Sequence, residues 1–382
     1  MSDSETLTQA GTDDAPAGLS RSRVSHLSEV VFLYVACISA ALVVSALLVA
    51  VTGGSWRAVF AALLDGSVRN PGRWGTTIGV FAPLLLVALG TIVNVKAGLI
   101  NIGQEGQLLI GGAFAAYVSI HLDAPGAVLL VALTATGIAA GALWAGIAAG
   151  LRYWRNVPEV LTSLLLVLVA SQVVGYGFRF DSILLEPLSE GRSLQVQQTP
   201  LVPEGARLER VTIFGNEFPI SAFVAVALAG VIAFLVAHTV WGLRIRALGR
   251  NQRVAHRAGV SAARFGMGSM LISGAMAGLA GAFMLTGGDF GAYRYSPGFA
   301  VNIGWTGLLV ALVSRGRALF AIPIAFVFAS LRTGSGFLAA TGVERRITDV
   351  VQALLVLALL VPAAVLFIRQ RRRAAAATEA RT

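Results

Sequence analysis

The chain has 382 residues, of which 56% are hydrophobic and only 13% charged, with a mean hydropathy of +0.77. A soluble domain carries about a quarter charged residues, so this chain cannot cover itself with polar surface, and a water-soluble globule is excluded. The formal charge of +10 is concentrated in arginines between apolar runs, at Arg244, Arg246, Arg250, Arg253, Arg257 and Arg264 and again at Arg369, Arg371, Arg372 and Arg373. That is the positive-inside pattern of a membrane protein and calls for no nucleic-acid partner.

Residues 1–29 are acidic and then basic (Asp3, Glu5, Asp13, Asp14, Arg21, Arg23), unlike the short basic start of a cleaved signal peptide. They are expected to form a disordered cytoplasmic tail. Apolar runs follow at about 30–52, 74–95, 106–122, 126–151, 160–178, 218–242, 266–287, 296–314, 318–331 and 350–368, near the ~20 residues that cross hydrocarbon. The expected fold is all-α: a polytopic transmembrane domain over 30–368 with about ten helices, followed by a basic cytoplasmic tail at 369–382. The ninth run is short, and 332–349 is expected to add a tilted or re-entrant piece. Cys37 is the only cysteine and lies in the first run, so no disulfide can form within the chain and no cysteine zinc site is available.

Orientation follows from loop charge. With 243–265 and the tail after Ile368 in the cytoplasm, Arg152 and Arg155 also fall inside, and the acid-rich loop 179–217 falls outside. Both termini are then cytoplasmic. Arg332, Arg345 and Arg346 run against the rule by falling on the outer side.

Two runs are interrupted in loosely corresponding places, at 94–107 by Gly, Asn and Gln and at 287–304 by Gly, Tyr, Ser, Pro and Asn. Broken helices in matching positions of two halves point to a substrate path at the membrane midplane. Unwound backbone at that depth is tolerated only where it lines a cavity or is buried in protein. Asn94, Asn101, Gln104, Glu105, Gln107 and Asn302 are therefore the expected path residues, with Asn101 and Gln104 as hydrogen-bonding groups toward a polar solute. Glu105 is expected to be structural, pairing with Lys96 or capping the third helix. The alternative, in which 96–105 is a wetted cytoplasmic loop, stays open.

ATP hydrolysis of the P-loop kind is not expected in this chain. A nucleotide-binding P-loop needs a lysine after its glycines, and the only lysine, Lys96, stands in Val-Lys-Ala-Gly. Ion coupling would use acids or histidines inside spans, and the candidates are Glu105, Asp289, His121 and His238. The four histidines show no metal-ligand spacing, and no Gly-x-Ser-x-Gly elbow occurs, so neither a metal site nor an enzyme is expected. From Ser273 to Gly281 small residues recur at spacings of three and four, so Gly274, Gly278 and Gly281 bring two helices close, within one subunit or at a dimer seam.

Three segments together resemble a known family. Gly98-Leu-Ile-Asn-Ile-Gly-Gln-Glu-Gly-Gln107 is similar to a Gly-Leu-Phe-Asn-Ile-Gly-x-Glu-Gly-Gln signature. Leu248-Gly-Arg-Asn-Gln-Arg-Val-Ala-His-Arg-Ala-Gly-Val260 resembles a cytoplasmic loop of the form Gly-x-Asn-x-x-Ala-Ala-x-x-x-Gly-Ile, and it too is followed by a Ser-Gly-Ala-x-Ala-Gly helix. Gly304-Trp-Thr-Gly-Leu-Leu-Val-Ala-Leu-Val313 is a looser match to a third stretch, because Ser314-Arg-Gly-Arg317 replaces the customary Gly-Arg-Asn-x-Pro. These segments resemble permease subunits of bacterial ABC importers for simple sugars and branched-chain amino acids, in the subgroup associated with nucleoside uptake.

The resemblance implies a type II importer-like membrane core and a second permease subunit, identical or not. It also implies ATP-binding subunits, an extracellular solute-binding lipoprotein, a plasma-membrane location and no cofactor in this chain. Within 248–260, Gly249, Arg250, Arg253, Val254, Ala255, Arg257 and Gly259 are expected to couple to the ATPase. The arginines would line one side of a helix, and Val254 and Ala255 would leave a small apolar surface. A monosaccharide permease of the same superfamily and an ion-coupled secondary transporter remain the rivals.

Overall fold

The computed structural model describes residues 55–338 apart from 180–182, 189–194 and 301, together with parts of 29–51 and 350–369. The chain divides into two compact units, Met1–Leu47 with Ala353–Thr382, and Leu48–Gln352. In the first unit the described residues of the first and last apolar runs are helical. Arg369 pairs there with Glu29 at 2.6 Å.

The second unit holds the expected helices and some that periodicity missed. Helix α1 (Trp56–Leu64) leads through a π-helical turn at Asp65–Arg69 into α2 (Arg73–Lys96). Then come α3 (Gln104–His121), α4 (Gly126–Arg155) and α5 (Glu159–Gly177). A two-stranded antiparallel hairpin, β1 (Arg210–Ile213) and β2 (Asn216–Pro219), turns at Phe214 and Gly215, both with positive φ. Such a two-residue turn matches the right-handed twist of its strands. After it run α6 (Ile220–His238), α7 (Val240–Arg250), α8 (Gln252–Arg257), α9 (Ala262–Gly287), α10 (Ile303–Val313) and α11 (Ala318–Leu338).

Six of these, namely α2, α4, α5, α6, α9 and most of α11, are long and apolar enough to cross a membrane. The α10 helix is shorter than its run because Ala292, Tyr293 and Asn302, with Gly288 and Gly298, take left-handed φ and hold residues 288–300 and 302 out of a helix. The ninth run, by contrast, is longer than expected and continues through Arg332 to Leu338. Residues 339–349, with Arg345 and Arg346, lie outside the described residues, as do the two tails apart from Glu29 and Arg369.

Burial separates the helices into two classes. The apolar windows of α2 and α9 are 89% and 78% buried, whereas those of α4, α5, α6 and α11 are buried only to about a third or less. The central pair thus faces protein, and the outer helices present apolar side chains such as Val131, Leu143 and Leu168 to lipid. Gly274, Gly278 and Gly281 make the central contact. A Cβ on Gly278 would meet the carbonyl of Gly137 in α4, and one on Gly281 the carbonyl of Leu108 in α3. The stripe packs helices against one another inside this chain.

Candidate translocation site

Residues 97–103 leave the end of α2 as an irregular segment and enter α3. Gly98, at φ +75°, makes the turn, and Leu99 N–H donates to the Asn94 carbonyl at 2.9 Å. The Asn101 carboxamide then folds the chain on itself. Its Oδ1 accepts from Gly103 N–H at 3.0 Å and from Gln107 Nε2 at 3.1 Å, while its Nδ2 donates to Gln107 Oε1 at 2.9 Å and to Ser273 Oγ at 3.1 Å. Gln104 Nε2 donates to the same Ser273 oxygen at 2.8 Å and to the Val87 carbonyl at 3.1 Å, and Gln104 Oε1 accepts from Thr91 at 2.7 Å. The three carboxamides and Ser273 are no more than 1% exposed.

Glu105 joins this segment to the second interrupted one. Its carboxylate accepts from the backbone N–H groups of Asn302, at 2.8 Å, and Gly304, at 2.5 Å. These are orphan donors at the start of α10, and a negative charge there also meets the positive end of the helix. Glu105 thus ties down the start of α10, and these partners lie nearly two hundred residues away rather than at Lys96 or at its own helix. Asn302 contributes its backbone N–H, and its side chain is exposed.

Asn94 differs from its neighbours. It is fully buried, yet neither polar atom of its side chain has a partner. A buried carboxamide left unpaired costs about 1–3 kcal/mol.

The far side of the second interrupted segment is strapped by residues 198–210. Thr199 N–H donates to the Tyr295 carbonyl and Tyr295 N–H to the Thr199 hydroxyl, Arg294 pairs with Glu186 at 2.6 Å, and Arg210 reaches Asp289 at 2.8 Å and the Gly287 carbonyl at 2.7 Å. Burial pushes the Asp289 carboxyl above its ordinary range, and the Arg210 guanidinium draws it back. Tyr295 is fully buried, donates to the Leu109 carbonyl and packs on Phe299. Asp289 thus holds a loop, and His121 and His238 lie at helix ends beside Tyr117 and Phe234. Glu159 opens α5 paired with Arg152 at 2.6 Å.

The 248–260 loop lies on the surface. Asn251 Oδ1 accepts from Arg253 and Val254 N–H and so starts α8. Arg250, Arg253, Arg257 and Gly259 are exposed, and none of the three arginines has an ion-pair partner among the described residues. Val254 is 60% exposed, whereas Ala255 is 2% exposed and packs with Leu248 and Val260. The apolar surface expected of both thus belongs to Val254, and Ala255 anchors the loop from beneath. Gly249 touches the first interrupted segment directly: a Cβ there would meet the Lys96 carbonyl, and one on Gly98 would lie 2.9 Å from Gly249 Cα.

Sequence reasoning missed Ser273, Thr91 and Ser163, the last of which accepts from Ile102 N–H at 3.2 Å. Each is a hydroxyl inside an apolar helix, where it reads as a small packing residue.

Against this geometry, a family model described as the branched-chain amino acid transport system permease component matches residues 75–360. The chain belongs to that family. The permease is thus a transport component rather than an enzyme, and a multi-pass membrane protein. A guanosine ABC transporter permease of Bacillus subtilis is 30% identical, over 88% of this permease and 93% of its own length. A glucose ABC transporter permease of Haloferax volcanii is 32% identical, over 73% of each chain. A nucleoside ABC transporter permease of Lactococcus lactis is 27% identical, over 76% and 79%. No solved structure matches the permease.

Proposed function

We propose that this permease forms the membrane path of an ABC importer for nucleosides, driven by ATP-binding subunits on separate chains and supplied by an extracellular solute-binding lipoprotein. The observation that carries this reading is the buried junction in which Glu105 ties two broken helices together beside the Asn101, Gln104 and Gln107 carboxamides. A nucleoside must exchange its hydrogen bonds to water for others, and carboxamides both donate and accept. Here Asn101 and Gln107 bond to each other and Gln104 joins them through Ser273, as in a closed path, and Asn94 is the group left for solute. The relatives that transport guanosine and nucleosides, which this chain matches over most of its length, support the same substrate class.

Coupling follows from the contact between Gly98 and Gly249. Val254 and the unpaired arginines of α8 would seat on the ATPase, and a displacement of α7 and α8 would press through that contact on the segment carrying Asn101. In this orientation the 243–265 loop and both termini are cytoplasmic, and a second permease subunit, identical or different, completes the core. Single cysteines at Gln252 and Glu204, in a Cys37→Ala background, test it: an impermeant reagent added outside should label only Glu204→Cys.

The substrate is tested by uptake of labelled guanosine, uridine, ribose, glucose and leucine in cells with and without this chain. Loss of nucleoside uptake alone is expected. Loss of glucose uptake alone would instead favour the monosaccharide reading that the Haloferax relative suggests.

A further inference from the structure

At the end of the bundle that carries α7 and α8, a cavity of about 270 Å³ lies between α2, α6 and α11. Its walls include Ile92, Ile232, Val236, Leu319 and Phe320, and Lys96 and Arg317 line it as well. Leu319 and Phe320 are each 56% exposed, so the cavity lies at the outer surface of the bundle, away from the Asn101 junction, whose residues take no part in it.

The charges around this cavity are of one sign. The end of Lys96 lies over Gly316, where Arg315 and Gly316 both take positive φ and so reverse the chain into Arg317. The charge of Arg317 acts on Lys96, as do those of Arg246 and Arg250 on α7. Lys96 has no carboxylate partner among the described residues, and Arg246 donates only to the backbone carbonyls of Gly242 and Ala237. Like charges repel, and an anion seated among them offsets that repulsion most where, as at half-buried Lys96, water has restricted access. The neighbouring walls are apolar, so the anion that fits is one joined to an alkyl chain. Basic pockets between transmembrane helices have that chemistry for acidic head groups.

We propose that this cavity binds an anionic phospholipid, with its phosphate held between Lys96 and Arg317, Arg246 and Arg250 close behind, and an acyl chain seated against Ile232, Val236 and Phe320. The site depends on the chain being embedded in a bilayer and not on which solute it carries, so its test is a binding measurement that stands whether or not nucleoside transport does.

The full-length permease, purified in detergent and titrated with phosphatidylglycerol or phosphatidylcholine, is read by native mass spectrometry. Phosphatidylglycerol should stay bound where phosphatidylcholine does not. A cationic side chain near a lipid phosphate is worth about a fivefold change in affinity, so Lys96→Gln with Arg317→Gln should weaken binding roughly 30-fold. Lys96→Arg should retain it. Ala233→Phe fills the apolar slot with every charge intact and should also release the lipid. Equal retention of both lipids, or undiminished binding by the double variant or by Ala233→Phe, overturns the proposal. Displacement by excess inorganic phosphate would make this a free-anion site instead. Release of the lipid when the ATP-binding subunits or a second permease assemble would assign the cavity to a protein partner.

Discussion

Asn101 and Asn251 perform the same local task with different consequences. Each carboxamide oxygen accepts from the N–H two residues on and starts a helical turn. Around Asn101, in a fully buried site, the remaining side-chain atoms reach Gln107 and Ser273, and a short turn becomes the hub joining α2, α3 and α9. Around Asn251 the side chain stays exposed, Val254 faces outward and the arginines have no ion-pair partner among the described residues. Burial makes the difference. A polar group cut off from water must find protein partners or cost free energy, and one at the surface can wait for a partner that is not in this chain. Apart from Asn94 the junction is satisfied internally, and the exposed face of the loop is left open for contact.

The widest separation between the regions should come from Glu105→Ala. It removes both acceptors from Asn302 and Gly304 N–H, and at about 1–3 kcal/mol for each buried donor it should destabilise the permease by about 4 kcal/mol. Thermal unfolding in detergent would register this as loss of the folded population. Glu105→Gln, which keeps one acceptor oxygen, should retain roughly half of that stability.

The comparison is sharpest in a matched pair. Asn101→Ala should cost about 3 kcal/mol, because Gly103 N–H, Gln107 and Ser273 each lose a partner in a buried site. Asn251→Ala, which removes only a helix cap, should cost about 1 kcal/mol. Equal losses in the two variants would mean that burial is not what distinguishes the regions.

Val254→Asp belongs at the small end for stability and the large end for function. An exposed substitution should change stability by less than about 0.5 kcal/mol. Uptake should nevertheless fall at least fivefold, together with transport-linked ATP hydrolysis, if Val254 seats on the ATPase. Unchanged uptake would remove the docking reading. Ala255→Asp cannot serve this purpose, because it would place a charge beneath the loop against Leu248 and Val260.

Much of this was legible in the sequence because hydrocarbon imposes a length and a composition on every span. Runs such as 74–95 and 266–287 end within a few residues of α2 and α9. The six candidate path residues were named from their crowding between apolar runs, and the structure gathers Asn101, Gln104, Glu105 and Gln107 into one site. The partners were not legible. Nothing near Glu105 signals Asn302 and Gly304, and Ser273 stands in a stripe whose glycines explain it fully as packing. The helix through Arg332 and the hairpin at 210–219 were missed for a related reason: each depends on long-range contact rather than on local periodicity. Asn101 and Gln104, expected to face the path as hydrogen-bonding groups toward solute, are buried and bonded to neighbouring side chains, so in that role they would exchange these bonds for solute.

The direct test of the path falls on Asn94, the buried carboxamide with no partner of its own. Asn94→Leu keeps similar size and removes a group that makes no side-chain hydrogen bond in the resting protein. Labelled guanosine uptake and the thermal midpoint should be measured on the same variant. If Asn94 meets solute in the path, uptake falls about tenfold, the worth of one lost hydrogen bond to a polar ligand, while the midpoint stays level or rises. Uptake at the parental rate with an unchanged midpoint would contradict a path through this junction.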